Sequence, residues 1–130
     1  MIYLDSSAAL AQLLAEDRHP PDEAWAVTLV SSRLLEYELW ARIHARKLSR
    51  THGDAVRDLV GRVALLELVS PILARAIEPF PVPVRTLDAL HLASALFLKE
   101  QGHPVELLSY DEGMLEAASK MKIALSPLGL

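Results

Sequence analysis

Short apolar runs alternate with helix-length segments along the whole chain, and this alternation constrains the fold more than any other feature. Met1 to Leu4 is apolar and β-prone and stops at Asp5, which reads as a buried strand. Ser6-Ser7 then opens an alanine and leucine run to Ala15, a helix with a serine or aspartate cap. Pro20-Pro21 keeps residues 16–22 in a loop, and Ala26 to Val30 reads as a second strand that Ser31-Ser32 punctuates. Helices are expected from about Leu34 to Leu48 and from Gly53 to Val63, with a third strand over Ala64–Val69. Ser70-Pro71 starts a short helix, with proline in its first turn. Prolines at 79, 81 and 83 make residues 78–84 an extended connector. Leu87 to Lys99 is apolar nearly all round, which marks a buried helix that Gly102 ends. A fourth strand over Val105–Leu108, a helix over Asp111–Lys120 and a fifth strand over Ile123–Leu125 complete the pattern. Buried strands that alternate with helices predict an α/β domain with a mainly parallel sheet covered on both faces. The 130 residues read as one domain, 1–130, without repeats or an internal boundary.

With 52% hydrophobic and 23% charged residues, the chain has material for a packed core and does not read as disordered. It has no cysteine, which excludes disulfides, thiolate zinc sites and cysteine nucleophiles and points to a reducing compartment. The apolar runs are too short to span a membrane, and the N-terminus lacks the basic region of a signal peptide. A cytoplasmic protein without membrane contact is therefore expected. Thirteen basic against seventeen acidic residues give a net charge of -4, which argues against a basic nucleic-acid coat protein. The charge is uneven, however. Arg33 to Arg50 carries a local +3, while Glu100 to Glu116 holds five acids and no Lys or Arg. By itself the basic stretch reads as a solvated helix face.

In open α/β sheets, sites form beyond the carboxyl ends of the strands. Asp5 follows the first strand, Asp111 the fourth, and Asp88 stands at the start of the buried helix. Glu36 and Glu38 lie in the first turns of the helix after the second strand. Each has a plain structural explanation. Asp5 suits the cap of the first helix, Asp88 a helix dipole with Thr86 as cap, and Asp111 an ordinary first turn, since Ser109 and Glu112 have capping-box spacing. Glu38 is harder to dismiss. At about 100° per residue it shares a helix face with Leu34, Ala41 and Ala45, whereas Glu36 faces the side of Lys47 and Arg50. A carboxylate on an apolar face is costly unless it is paired or bound to a metal, and Arg42 at i+4 offers a simple salt bridge instead. Clustered carboxylates without Cys or His ligands suit magnesium or manganese and serve phosphodiester chemistry.

Four stretches together resemble the PIN-domain ribonucleases, in particular the VapC-type toxins of toxin–antitoxin pairs. They are Ile2-Tyr3-Leu4-Asp5-Ser6-Ser7-Ala8, Ser32-Arg33-Leu34-Leu35-Glu36-Tyr37-Glu38-Leu39, Leu87-Asp88-Ala89-Leu90-His91-Leu92-Ala93-Ser94-Ala95 and Leu108-Ser109-Tyr110-Asp111. The third is the most specific. The resemblance implies a five-stranded parallel sheet with helices on both sides. It implies that Asp5, Glu38, Asp88 and Asp111 gather around Mg2+ or Mn2+, with Asp5 and Asp88 as principal ligands and Ser6 as an accessory polar group. The glutamate six residues after Ser32 in that motif is Glu38. Glu36 and Glu112 leave the second and fourth motifs with a neighbouring acid each. The function implied is metal-dependent hydrolysis of RNA, with a cognate antitoxin protein and a homodimer as partners. The alternative is a non-catalytic PIN-like binding module. His91 reads as a hydrogen-bonded core histidine, and the aromatics are too sparse for a base-stacking platform. A haloacid-dehalogenase-type phosphatase would need an acid where Ser7 stands, and a receiver domain would need a late lysine that residues 105–119 lack.

Overall fold

The computed structural model describes residues 1–129 and has five strands and six α-helices. Strand β1 (Ile2–Leu4) leads into α1 (Ser6–Leu13), and a 3-10 turn (Asp22–Ala26) precedes β2 (Leu29–Ser32). Helices α2 (Leu34–Ala45) and α3 (Ser49–Gly61), strand β3 (Val63–Leu66) and helix α4 (Ser70–Ala76) follow. Helix α5 (Thr86–Glu100), strand β4 (Glu106–Leu108), helix α6 (Glu112–Lys120) and strand β5 (Ala124–Leu125) close the fold. All neighbouring strands pair in parallel, in the order β3-β2-β1-β4-β5.

Because successive side chains of a strand point to opposite faces, two cores form. Ile2, Leu4, Leu29 and Leu108 face the side that buries Ala8 and Ala9 of α1, Leu35, Leu39 and Ile43 of α2, and Val56 and Leu59 of α3. Tyr3, Val30 and Leu107 face Leu92, Ala95 and Leu98 of α5 and Met114 and Ala117 of α6. The sheet is covered on both sides, as the apolar strands require. From β1 the chain runs outward through β2 and β3 and then crosses back to β4 on the other side of β1. The gap between the carboxyl ends of β1 and β4 is therefore the switch point where such sheets open a crevice.

Several boundaries differ from the sequence reading. Helix α1 ends at Leu13 because Ala15 takes a left-handed backbone, φ 49°. The second strand begins at Leu29 and includes the two serines read as punctuation. Both are fully buried: Ser31 Oγ donates to the Leu4 carbonyl at 2.8 Å, and Ser32 Oγ accepts from the Leu34 amide at 3.0 Å. Residues 22–26, expected to span loop and strand, form the 3-10 turn instead. Helix α3 starts four residues before Gly53, and Gly102, at φ 90°, follows the end of α5 as expected. Among the described residues, no helix is long and apolar enough to cross a membrane.

Candidate active site

Asp5 stands just past β1, at the N-cap of α1. Its Oδ2 accepts from the Ser7 amide (3.3 Å), the Ser7 hydroxyl (2.6 Å) and the Ser109 hydroxyl (2.8 Å). Ser7 Oγ and Ser109 Oγ in turn accept from the amides of Tyr110 and Asp111, so the two hydroxyls tie the end of β1 to the end of β4. Asp5 is 2% exposed, and its other oxygen, Oδ1, is buried without a partner. An unpaired buried carboxylate oxygen costs free energy unless something positive or protic meets it.

Asp111 is the N-cap of α6 rather than a first-turn acid, and its Oδ1 accepts from the Met114 amide at 3.0 Å. Asp88 lies in the first turn of α5, and its N-cap position is held by Arg85, not by Thr86. The Arg85 guanidinium bridges the two acids: Nε donates to Asp88 Oδ2 at 3.1 Å and Nη2 to Asp111 Oδ2 at 2.5 Å. Burial pushes the Asp88 carboxyl above its ordinary range; Arg85 opposes that shift, and the charges of Asp111 and Asp5 add to it.

The core face of α2 is Leu35, Leu39 and Ile43, while Ala41 and Ala45 are exposed, so the face assigned from sequence was off by about one residue. Glu38 lies at the edge of that core. Two partners hold it: Ser6 Oγ donates to Oε2 at 3.0 Å, and His91 Nε2 contacts Oε1 at 2.5 Å. Among the described residues no ion pair joins it to Arg42. His91 is buried and reaches the Tyr3 hydroxyl through Nδ1 at 2.7 Å, and that hydroxyl accepts from the Ser32 amide at 3.1 Å. With the neutral ring, donor counting has Tyr3 donating to Nδ1 and Nε2–H donating to Glu38. Burial disfavours a charged His91, but the hydrogen bond and charge of Glu38, with Asp5 and Asp88 behind, turn the net shift upward. Tyr3 is fully buried, which raises its phenol far above the ordinary value.

Asp5, Glu38, Asp88 and Asp111 line one open cavity of about 680 Å³ beyond the carboxyl ends of β1 and β4. Neither Glu36 nor Glu112 lines it, so the structure separates each candidate from its acidic neighbour. Arg42 and Arg85 are the two basic residues on its wall. Sequence reasoning missed Arg85, the serine clamp on Asp5 and the link from His91 to Glu38. The i, i+3 spacing of Arg85 and Asp88 is legible, but Arg85 and Asp111 are 26 residues apart, and His91 and Glu38 are 53 apart.

The sequence model of the PIN domain family matches residues 2–120, and the chain belongs to that family. Among curated relatives it is similar to ribonuclease VapC35 of Mycobacterium tuberculosis, 30% identical over 130 residues that cover 95% of this chain and 94% of the relative. Ribonuclease VapC47 of the same organism is 27% identical over 128 residues, covering 93% and 92%. Among solved structures, the crystal structure of M. tuberculosis VapC20, described as a sarcin-ricin loop cleaving toxin, superposes with a TM-score of 0.68. It is 20% identical, over 90% of this chain and 95% of that one, so this likeness speaks to the fold.

Proposed function

We propose that this chain is a divalent-metal-dependent endoribonuclease and acts as the toxin of a toxin–antitoxin pair. The observation that carries the reading is the convergence of Asp5, Glu38, Asp88 and Asp111 on one cavity at the switch point of the sheet. The two ribonuclease relatives span nearly the whole chain and support RNA as the substrate.

The residues fit a magnesium or manganese ion. The donors are all hard oxygens, and Asp5 Oδ1 is a buried acceptor in need of a partner. Among the described residues no three acids stand in a ready coordination cluster; Arg85 engages Asp88 and Asp111, and the serine clamp occupies Asp5 Oδ2. Asp5 and Asp88 would hold the ion, with Glu38 and Asp111 completing the shell directly or through water. Bound there, the ion would lower the pKa of a water and stabilise charge on the phosphodiester in the transition state.

This chain's own residues position that chemistry. The serine clamp keeps Asp5 in one rotamer. His91 and Ser6 orient Glu38 from both oxygens, leaving it as the base that takes the proton of the attacking water. Arg42, which has no ion-pair partner among the described residues, supplies positive charge on the wall for the RNA backbone. A homodimer, a cognate antitoxin that covers the acidic cavity and a cytoplasmic setting complete the reading. The net charge of -4 suits a basic contact from that antitoxin, and the absence of cysteine suits a reducing compartment. Asp5→Asn and Asp88→Asn should each abolish manganese-dependent cleavage of RNA while circular dichroism stays unchanged. Full activity in either folded variant would remove these acids from the site, and a parent inactive with every metal tested would leave a binding module.

A further inference from the structure

The oxygens that Arg85 engages are oxygens a cation would need. Asp88 Oδ2 and Asp111 Oδ2 both accept from its guanidinium, through Nε and Nη2 respectively. The two carboxylates come from different helices, and Arg85 is the only group among the described residues paired with both. Its hold is partial. Arg85 makes no hydrogen bond to Asp5 or Glu38, so it covers two of the four acids and leaves Asp5 Oδ1 without a partner.

Arg85 is also built to leave. Its side chain is 79% exposed, whereas those of Asp88 and Asp111 are 14% and 22% exposed. Pairs with one solvated partner are weak, and breaking them returns the guanidinium to water at little cost. Arg85 sits where the proline-bearing connector enters α5, with an extended backbone at φ -74° and ψ 161°. Rotation about its side-chain bonds moves the head group away from the acids without disturbing the helix.

A released guanidinium has a use at that place. Five acids line the cavity (Asp5, Glu16, Glu38, Asp88, Asp111), and a phosphodiester approaching them meets repulsion. Only Arg42 and Arg85 offset it from the wall. A guanidinium can grip one phosphate through two parallel N–H donors, and here Nε and Nη2 are spent singly on two separate carboxylates.

We propose that Arg85 is a displaceable internal cation that competes with the divalent metal for Asp88 and Asp111 and, once displaced, binds the RNA phosphate. This rests on the metal-dependent reading of the same cavity. It makes metal loading and phosphate binding mutually reinforcing: the ion frees Arg85, and a phosphate that captures Arg85 frees the two carboxylates.

The test compares the parent with Arg85→Ala and Arg85→Lys, all three checked for folding by circular dichroism. Manganese binding without RNA is measured by calorimetry and by the paramagnetic signal of free Mn2+. Arg85→Ala should bind manganese about twofold to fivefold more tightly than the parent, the range expected for removing a weak competing pair. Arg85→Lys keeps the charge but has no fork to span two carboxylates, and should fall between them. At saturating manganese, Arg85→Ala should raise KM for RNA about twofold to fivefold with kcat little changed, and Arg85→Lys should restore much of that loss. A parent that binds no manganese overturns the metal reading itself. A parent that binds it, with Arg85→Ala equal or weaker, overturns the competition and leaves the metal reading standing. An unchanged KM overturns the phosphate role.

Discussion

Glu38 shows how much at this site depends on single contacts. Its carboxylate is held by Ser6 on one oxygen and His91 on the other, at the edge of the α2 core. Glu36, two residues earlier, does not line the cavity. Glu38→Gln should therefore cut RNA cleavage by orders of magnitude, since it removes the charge and gives His91 Nε2–H a weaker acceptor. Glu36→Gln should leave the rate close to the parent's. Reversed effects in a cleavage time course would mean that α2 is rotated relative to the cavity. Tyr3 tests the support behind Glu38. Its hydroxyl satisfies the buried Ser32 amide and His91 Nδ1 together. Tyr3→Phe leaves both unpaired and should cost about 1–3 kcal/mol in denaturant unfolding.

Among the elements, α2 is the one whose phase the sequence misjudged. Alanines at 41 and 45 look like core positions because alanine is tolerated anywhere on a helix, but both are exposed. The buried stripe is Leu35, Leu39 and Ile43, packed under β1 and β2. Leu39→Ala should lower stability by about 2–5 kcal/mol, whereas Ala45→Ser should stay within about 0.5 kcal/mol. Thermal melts of the two variants decide between the phases. The short strands carry a related lesson. Ser31 and Ser32 are polar by composition and buried by position, because the ends of the central strands are where the sheet meets the site.

For the molecule as a whole, the cavity concentrates charge that the fold itself does not favour. The Asp88 carboxyl is raised by burial, with Asp111 and Asp5 adding to the shift and only an exposed arginine opposing it. A raised carboxyl favours the fold below its unfolded value of 3.8, and that contribution is lost as pH rises through the folded value. In chelator, Asp88→Asn should therefore melt close to the parent near pH 3 and above it at pH 7.5, by on the order of 1 kcal/mol. Asp5→Asn should show no such gain, because its Oδ2 accepts three hydrogen bonds that a neutral amide would accept more weakly. His91 acts in the same direction. Its upward shift adds stability below its unfolded value of 6.5 that fades as pH rises through the folded value. On the proposed metal-dependent reading, manganese should raise the melting temperature of the parent at pH 7.5, because an ion held only by the folded acids stabilises the fold. Asp88→Asn should lose most of that rise. A parent indifferent to manganese would show that the four acids do not act as one site.

The α/β class, the strand and helix types and the placing of Asp5, Asp88 and Asp111 at the ends of elements were readable from the chain alone, because each rests on local signals, whereas the grouping of Asp5, Glu38, Asp88 and Asp111 into one site came from the family resemblance. Apolar runs of strand length, caps, prolines and the acid that ends a strand all act over a few residues. The choice of Asp111 over Glu112 and the true facing of α2 were not readable. They depend on which side of an element packs against a partner distant in sequence, and neighbouring residues of similar chemistry carry no mark of that. The serine clamp on Asp5, the Tyr3–His91–Glu38 chain and the Arg85 bridge belong to the same class. Each joins side chains from segments that the parallel crossovers bring together: Ser109 lies 104 residues from Asp5, and His91 lies 88 from Tyr3. Local physics determines which residues stand at the ends of strands. The order of the strands decides which of those ends meet, and with them which carboxylates share a cation.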